Sequence, residues 1–242
     1  MAMNFEFFRA SQRHRVPIAP AWWAALVLVL AGSWLLAMWR PVAEQRIASL
    51  TPPPTADQVR RAALGDVLPL AKWLNLYVQT SDTQPGVSIP FGQLDYPRIT
   101  QWLDRIVMLD PQSHYALMVA SHVYFNVKDS ERQRVMLDFI ARSFEQDPEH
   151  RWQWMAHAVI QAKHHLKDLP LALQLARRLR ETLLATPGIP TWVKQLESIV
   201  LEAMDDKQAA ALSLGLLIDN GHIDNPQEIE FLLRSQQQLL QH

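Results

Sequence analysis

Hydrophobic and polar positions divide this chain into two regimes. Val16 to Trp39 is a run of 24 residues without a charge, rich in Leu, Val, Ala and Trp. From Ala56 onward, apolar residues instead recur at the three- and four-residue spacing of amphipathic helices, and strand-like alternation is almost missing. As a helix, the first run reaches roughly 36 Å at 1.5 Å per residue. That is enough to cross a hydrocarbon core about 30 Å thick. Trp22 and Trp23 lie toward one end and Trp39 at the other, where indole rings favour the headgroup level, and Arg15 and Arg40 bracket the span. A cleavable signal has a shorter apolar core and a small-residue cleavage site. This run ends on Met38, Trp39 and Arg40 instead. The pattern predicts an uncleaved transmembrane helix over 16–40, preceded by a flank over 1–15.

A Pro-rich linker follows over 41–55, in which Pro52, Pro53 and Pro54 impose an extended, semi-rigid spacer. Pro41 is a kink site just beyond the apolar run. Thr55 and Gln58 form a capping-box pattern, so a helix starts at Ala56 and breaks near Gly65-Asp66. A second helix is predicted from Val67 to Gln79, with Leu68, Leu70, Trp73, Leu74 and Tyr77 on its buried face. Ser81–Asp95 is a long irregular stretch with turn signals at Pro85-Gly86 and Pro90-Phe91-Gly92, read as a surface excursion pinned by Ile89 and Phe91. Residues 56–95 form an atypical hairpin and loop. Pro226 to about Leu240, in segment 222–242, reads as a capping helix with a Gln-rich polar face.

Between these lies a repeat. Asp110-Pro111, Asp147-Pro148 and Thr186-Pro187 punctuate the chain at intervals of 37 and 39 residues, each interval holding two amphipathic helices. In the first unit Leu117, Ala120, Ser121 and Tyr124 stand at the key positions of the first helix, and Met136, Ile140 and Ser143 in the second. In the next, Trp154, His157, Ala158 and Gln161 take the corresponding places, and Asp168-Leu169 with Ala172 opens the second helix. A third, degenerate unit runs from Trp192 through Asp206 and Ala209 to Gly221. This pattern resembles the tetratricopeptide repeat family over 96–221, with His157 and Gln161 departing from the family's Leu and Tyr. The expected fold class is therefore all-α: an N-terminal transmembrane helix followed by a tetratricopeptide-like solenoid of helical hairpins.

Charge adds orientation. Arg9, Arg13 and Arg15 precede the span and Arg40 and Arg46 follow it, favouring a cytoplasmic N-terminus and a periplasmic domain in a cell inner membrane. Phe5, Phe7 and Phe8 are suited to the interface or to a disordered tip. Residues 56–242 carry 18 Lys and Arg against 22 Asp and Glu, so no basic face invites nucleic acid. The chain has no cysteine, which excludes disulfides, thiolate metal sites and cysteine nucleophiles.

Candidate chemistry is sparse. His150, His157 and His164 are seven residues apart on one predicted helix, about 10.5 Å per step, too far to share one ion; His165 adjoins the last. Sequence motifs for serine hydrolysis or nucleotide loops do not occur. Asp205-Asp206 and Asp219 to Asp224 read as caps and turns, the latter lacking a calcium loop's alternation and closing Glu. No catalytic, cofactor or metal residues are assigned, and no enzyme activity is expected. The resemblance implies a groove lined by the first helix of each hairpin. It places Tyr115, Met118, His122, Phe125 and Asn126 there in one unit, and Trp152, Met155, Val159 and Lys163 in the next. Such an aromatic, Met-bearing groove suits an apolar helix or extended peptide. The other reading is that these residues pack against 56–109. The expected function is a membrane-anchored scaffold or assembly factor that binds other proteins, including membrane-complex subunits, with the bilayer engaged by the anchor. The alternative is an accessory subunit of a respiratory or transport complex with no catalysis of its own.

Overall fold

The computed structural model describes residues 20–38, 50–84, 87–221, 223 and 225–241. The N-terminal flank, Pro41, the Pro85-Gly86 turn and Asp224 lie outside them. The chain divides into two units, Met1–Arg46 and Ile47–His242. In the first, α1 (Pro20–Met38) is apolar all round and its described side chains are mostly exposed. The Ser33 hydroxyl donates to the Leu30 carbonyl one turn back, at 2.8 Å. Among the described residues no helix is long and apolar enough to cross a membrane. The 19 residues of α1 amount to about 28 Å. Residues 16–19 and 39–40 of the expected span lie outside the described residues.

The second unit is helical apart from a two-residue hairpin, β1 (Thr83–Gln84) with β2 (Val87–Ser88), and a 3₁₀ turn at Phe91–Gln93. Its helices are α2 (Ala56–Ala62), α3 (Val67–Gln79), α4 (Tyr96–Leu109) and α5 (Tyr115–Met118), the last running into a π-helical turn, Val119–Tyr124. Then come α6 (Ser130–Gln146), α7 (Pro148–His164), α8 (Leu169–Leu183), α9 (Thr191–Lys194), α10 (Leu196–Ala203), α11 (Lys207–Asn220) and α12 (Pro226–Gln241). Packing follows chain order: α3 on α4, the π turn on α6, α7 on α8, α10 on α11. These pairs are joined by α4–α6, α6–α7, α8–α10 and α11–α12 contacts.

Local chemistry explains the boundaries. Thr55 and Gln58 complete a capping box on α2, with the Thr55 N–H donating to Gln58 Oε1 at 2.8 Å. Asp66, Asp95, Asp129, Asp168 and Asp206 each accept a backbone N–H at the start of a helix, at 3.0–3.1 Å. The second helix of every pair (α4, α6, α8, α11) thus begins on a capping aspartate. Two buried cations bind the ends. Arg151, in the first turns of α7, donates to the carbonyls of Ser143 and Pro111 at 2.8 and 2.9 Å. Lys194, at the same place in α9, donates to Thr186 and Gly221 at 3.1 and 2.8 Å. In each case one acceptor lies eight residues upstream, near the end of the preceding helix, where positive charge opposes the negative end of the helix dipole.

The core runs through the stack. Ser121 and Ala158 are buried where small side chains let helices approach, and Met136, Ile140 and Ser143 fill the second helix of their pair. The Tyr96 hydroxyl donates to the Tyr124 carbonyl at 2.7 Å, and the Tyr124 hydroxyl donates to Val78 at 3.3 Å, linking α4, the π turn and α3. Burial pushes the Tyr96 phenol up to about 12. Ile89 is buried and Phe91 sits edge-on to Tyr124, 6.1 Å between ring centres, so the 81–95 excursion is pinned as expected.

Two expectations need correction. The buried face of α3 is Ala71, Leu74, Asn75 and Val78, whereas Leu68 and Trp73 are exposed and Leu70 and Tyr77 only half-buried. The reason is that α4 covers a single narrow side of α3. The described part of the linker is also not a free spacer. The Trp102 indole donates to the Thr51 carbonyl at 2.8 Å, Arg105 to the Pro54 carbonyl at 3.2 Å, and Leu50 packs on the core.

Candidate functional site

The first helices of successive pairs carry a row of exposed and half-buried rings. On α5 and the π turn, Tyr115, His122 and Asn126 are exposed and Met118 half-buried. The Tyr115 hydroxyl accepts from Gln79 of α3 at 3.0 Å. The Trp154 indole of α7 donates to His114 Nδ1 at 2.9 Å, which leaves the His114 ring proton on Nε2, since an indole only donates. His122 stands edge-on to Trp154, 5.9 Å between centres, and stacks flat on His157 at 4.8 Å and 5°. On the other flank of α7, Trp152 meets Trp192 of α9 edge-on at 6.1 Å, and Lys163 donates to the Ile199 carbonyl of α10 at 3.4 Å. The row ends in a cleft of about 540 Å³ between α10, α11 and α12, whose walls include Gln195, Ile199, Glu202, Phe231 and Gln238. Rings alternate with single polar tips, so this surface offers apolar contact area with few hydrogen-bonding positions.

Phe125, Met155 and Val159, expected in the groove, are buried in the core. The π turn accounts for Phe125. Its N–H reaches back five residues to Ala120, at 3.0 Å, so the extra residue in that turn swings Phe125 inward, edge-on to His165 at 6.0 Å. The displaced carbonyls are satisfied by side chains: Gln161 donates to Ser121 at 2.8 Å and Asn126 to His122. Gln161 thereby has a structural task. Met155 and Val159 are covered because α7 is packed by α6, α8, α10 and the π turn. Its exposed residues are Glu149, His150, Gln153, Ile160 and His164, with Trp152, His157 and Lys163 half-buried beside them. Gln153, Ile160, Trp192, Ile199 and Phe231 were not expected at the site. The available signal was an aromatic residue in the first turns of each first helix, Tyr115, Trp152 and Trp192.

Burial, and then the neighbouring His122 and His165, hold the His157 imidazole below the ordinary 6.5. The folded protein therefore keeps this ring neutral where the unfolded chain takes up a proton. The stabilisation is fully present above pH 6.5 and is lost as pH falls through that value toward the lower folded one. The melting temperature of His157→Phe should consequently fall less than that of the wild type between about pH 7.5 and 5.5. Parallel curves would show that the stacked pair carries no such linkage.

Among the described residues no group of three His, Asp or Glu side chains is placed to hold a metal ion. No family model matches the chain, and neither a curated protein nor a solved structure matches it.

Proposed function

We propose that this chain is a membrane-anchored, tetratricopeptide-like scaffold that binds other proteins along the first-helix face of its hairpins, without catalysis of its own. The observation that carries the reading is the row from Tyr115 through His122, Trp152 and Trp192 to the Phe231 cleft, in which apolar rings stay open along consecutive helix pairs. An apolar helix or extended peptide segment has the matching chemistry. The anchor reading is supported by α1, whose apolar side chains lie exposed on every face and whose one hydroxyl is satisfied within the helix. Its charge-free continuation over 24 residues supplies the remaining length. The flanking arginines favour a periplasmic domain at a bacterial inner membrane.

Trp152→Ala and Tyr115→Ala are expected to weaken partner co-purification from mild detergent at least about tenfold, in the range of an interface hot spot, with helicity by circular dichroism unchanged. Loss of helicity in both would make them core residues and remove the site. A partner recovered at fixed stoichiometry would favour the accessory-subunit reading, and a substoichiometric one the scaffold. A C-terminal reporter pair, one active only outside the cytoplasm and one only inside, tests the orientation; an inside signal contradicts it.

A further inference from the structure

Around the turn between α2 and α3 lies a further apolar surface, on the first helix of the pair that precedes Tyr115. Leu64 is 93% exposed, Leu68 49%, Trp73 58% and Leu76 60%. Arg60, Arg61 and Lys72 are exposed among them, against Asp57 and the capping carboxylate of Asp66. Leu64 holds a positive φ of 50°, a conformation a leucine rarely adopts, and presents its side chain outward at the tip. Aromatic contacts connect this patch to the root of the tether. Trp73 stacks on Tyr77 at 5.5 Å, Tyr77 tilts against Trp102 at 5.2 Å, and both Tyr77 and Trp102 contact Thr51. The linker is fixed there by the Trp102 and Arg105 hydrogen bonds, so the chain leaves the domain beside the patch. Only residues 39–49 separate Thr51's neighbour Leu50 from the end of α1, a reach of at most about 40 Å.

We infer that Leu64, Leu68, Trp73 and Leu76 insert into the interfacial region of an anionic bilayer, with Arg60, Arg61 and Lys72 facing its headgroups. The inference rests on the anchor reading, which keeps a membrane within reach. Leucine and tryptophan bury in the headgroup–acyl boundary while adjacent cations meet anionic lipid, and the short tether keeps that surface near the bilayer. The patch would hold the domain against the membrane.

Because the chain has no cysteine, one introduced thiol reports one position. Full-length Leu68→Cys and Leu212→Cys, the latter at an exposed position of α11, are labelled with a polarity-sensitive fluorophore. Both are reconstituted in vesicles of phosphatidylethanolamine and phosphatidylglycerol carrying a nitroxide lipid. Quenching at Leu68→Cys should exceed that at Leu212→Cys by about threefold or more, and should drop on adding Arg60→Gln, Arg61→Gln and Lys72→Gln. Equal quenching at the two positions overturns the inference, as does protection of Leu68→Cys that follows protein concentration rather than lipid, which would mark a second copy as the occupant. Flotation after an alkaline wash separates the failures. A chain that washes off the vesicles overturns the anchor reading and the inference together. One that floats with its Leu68→Cys label in water overturns the inference alone.

Discussion

Glu197→Ala should be among the most damaging single changes in the domain, costing about 3–5 kcal/mol. Glu197 is buried in α10 and its carboxylate is shared by three partners. Arg177 donates at 3.0 Å, Arg180 makes a close ion pair, and the Ser213 hydroxyl donates at 3.4 Å. These partners lie on α8 and α11, so one side chain joins three helices. Removing it leaves the Arg180 guanidinium, whose side chain is 14% exposed, with only the longer contact to solvent-exposed Glu181 at 3.8 Å. Arg177 is half in solvent and contributes much less. The expected result is a melting temperature lowered by about 6–20 °C. Hydrogen exchange should quicken first in α11 and α12, whose small Leu214, Leu217 and Leu232 cluster stands apart from the main core. A double change, Glu197→Leu with Arg180→Leu, should recover most of the loss, because it removes both buried charges. If the single and double variants are equally unstable, packing rather than charge pairing holds α10 to α8.

Arg151→Met is expected to cost roughly 1–3 kcal/mol, because the buried Ser143 carbonyl and the partly exposed Pro111 carbonyl lose their donor while the aliphatic stem keeps its packing. Those carbonyls, Ser143 and Pro111, belong to the ends of α6 and α4, so the loss should loosen the junctions on both sides of α7. Lys194→Met should act in the same way at the Thr186 and Gly221 carbonyls, displaced toward the C-terminus. Urea titrations of the two variants provide the check. Loss confined to one of them would break the equivalence between α7 and α9.

Much of this architecture was legible from residue chemistry. Thr55 and Gln58 located the start of α2, and the Gly65-Asp66 break and capping Asp66 located α3 at Val67–Gln79. Asp-Pro steps marked the passage from one pair to the next, and Asp168 and Asp206 marked the second helices, because caps and prolines act within a few residues of where they stand. The faces were harder to read. Periodicity on α3 selected its most apolar residues, but α4 covers the side bearing Ala71 and Val78 and leaves Trp73 in the open. Phe125 was placed in the groove by the repeat resemblance, which presumes ordinary helical register, and the π turn removed that register. Nothing in Val119–Tyr124 announces such a turn, since it depends on tertiary partners such as Gln161 accepting the displaced geometry. The Phe231 cleft needs α10 and α12 brought together, information that no local pattern holds.

Photocrosslinking in intact cells tests the central claim most directly. A photoreactive residue would replace His122, Asn126 or Ile160 on the first-helix row, or exposed Arg142 or half-buried Arg178 on second helices. The account predicts discrete protein adducts from the three row positions, lost when Trp152→Ala is added, and none from Arg142 or Arg178. Adducts of equal yield from both sets, or adducts from the row that survive Trp152→Ala, would contradict it.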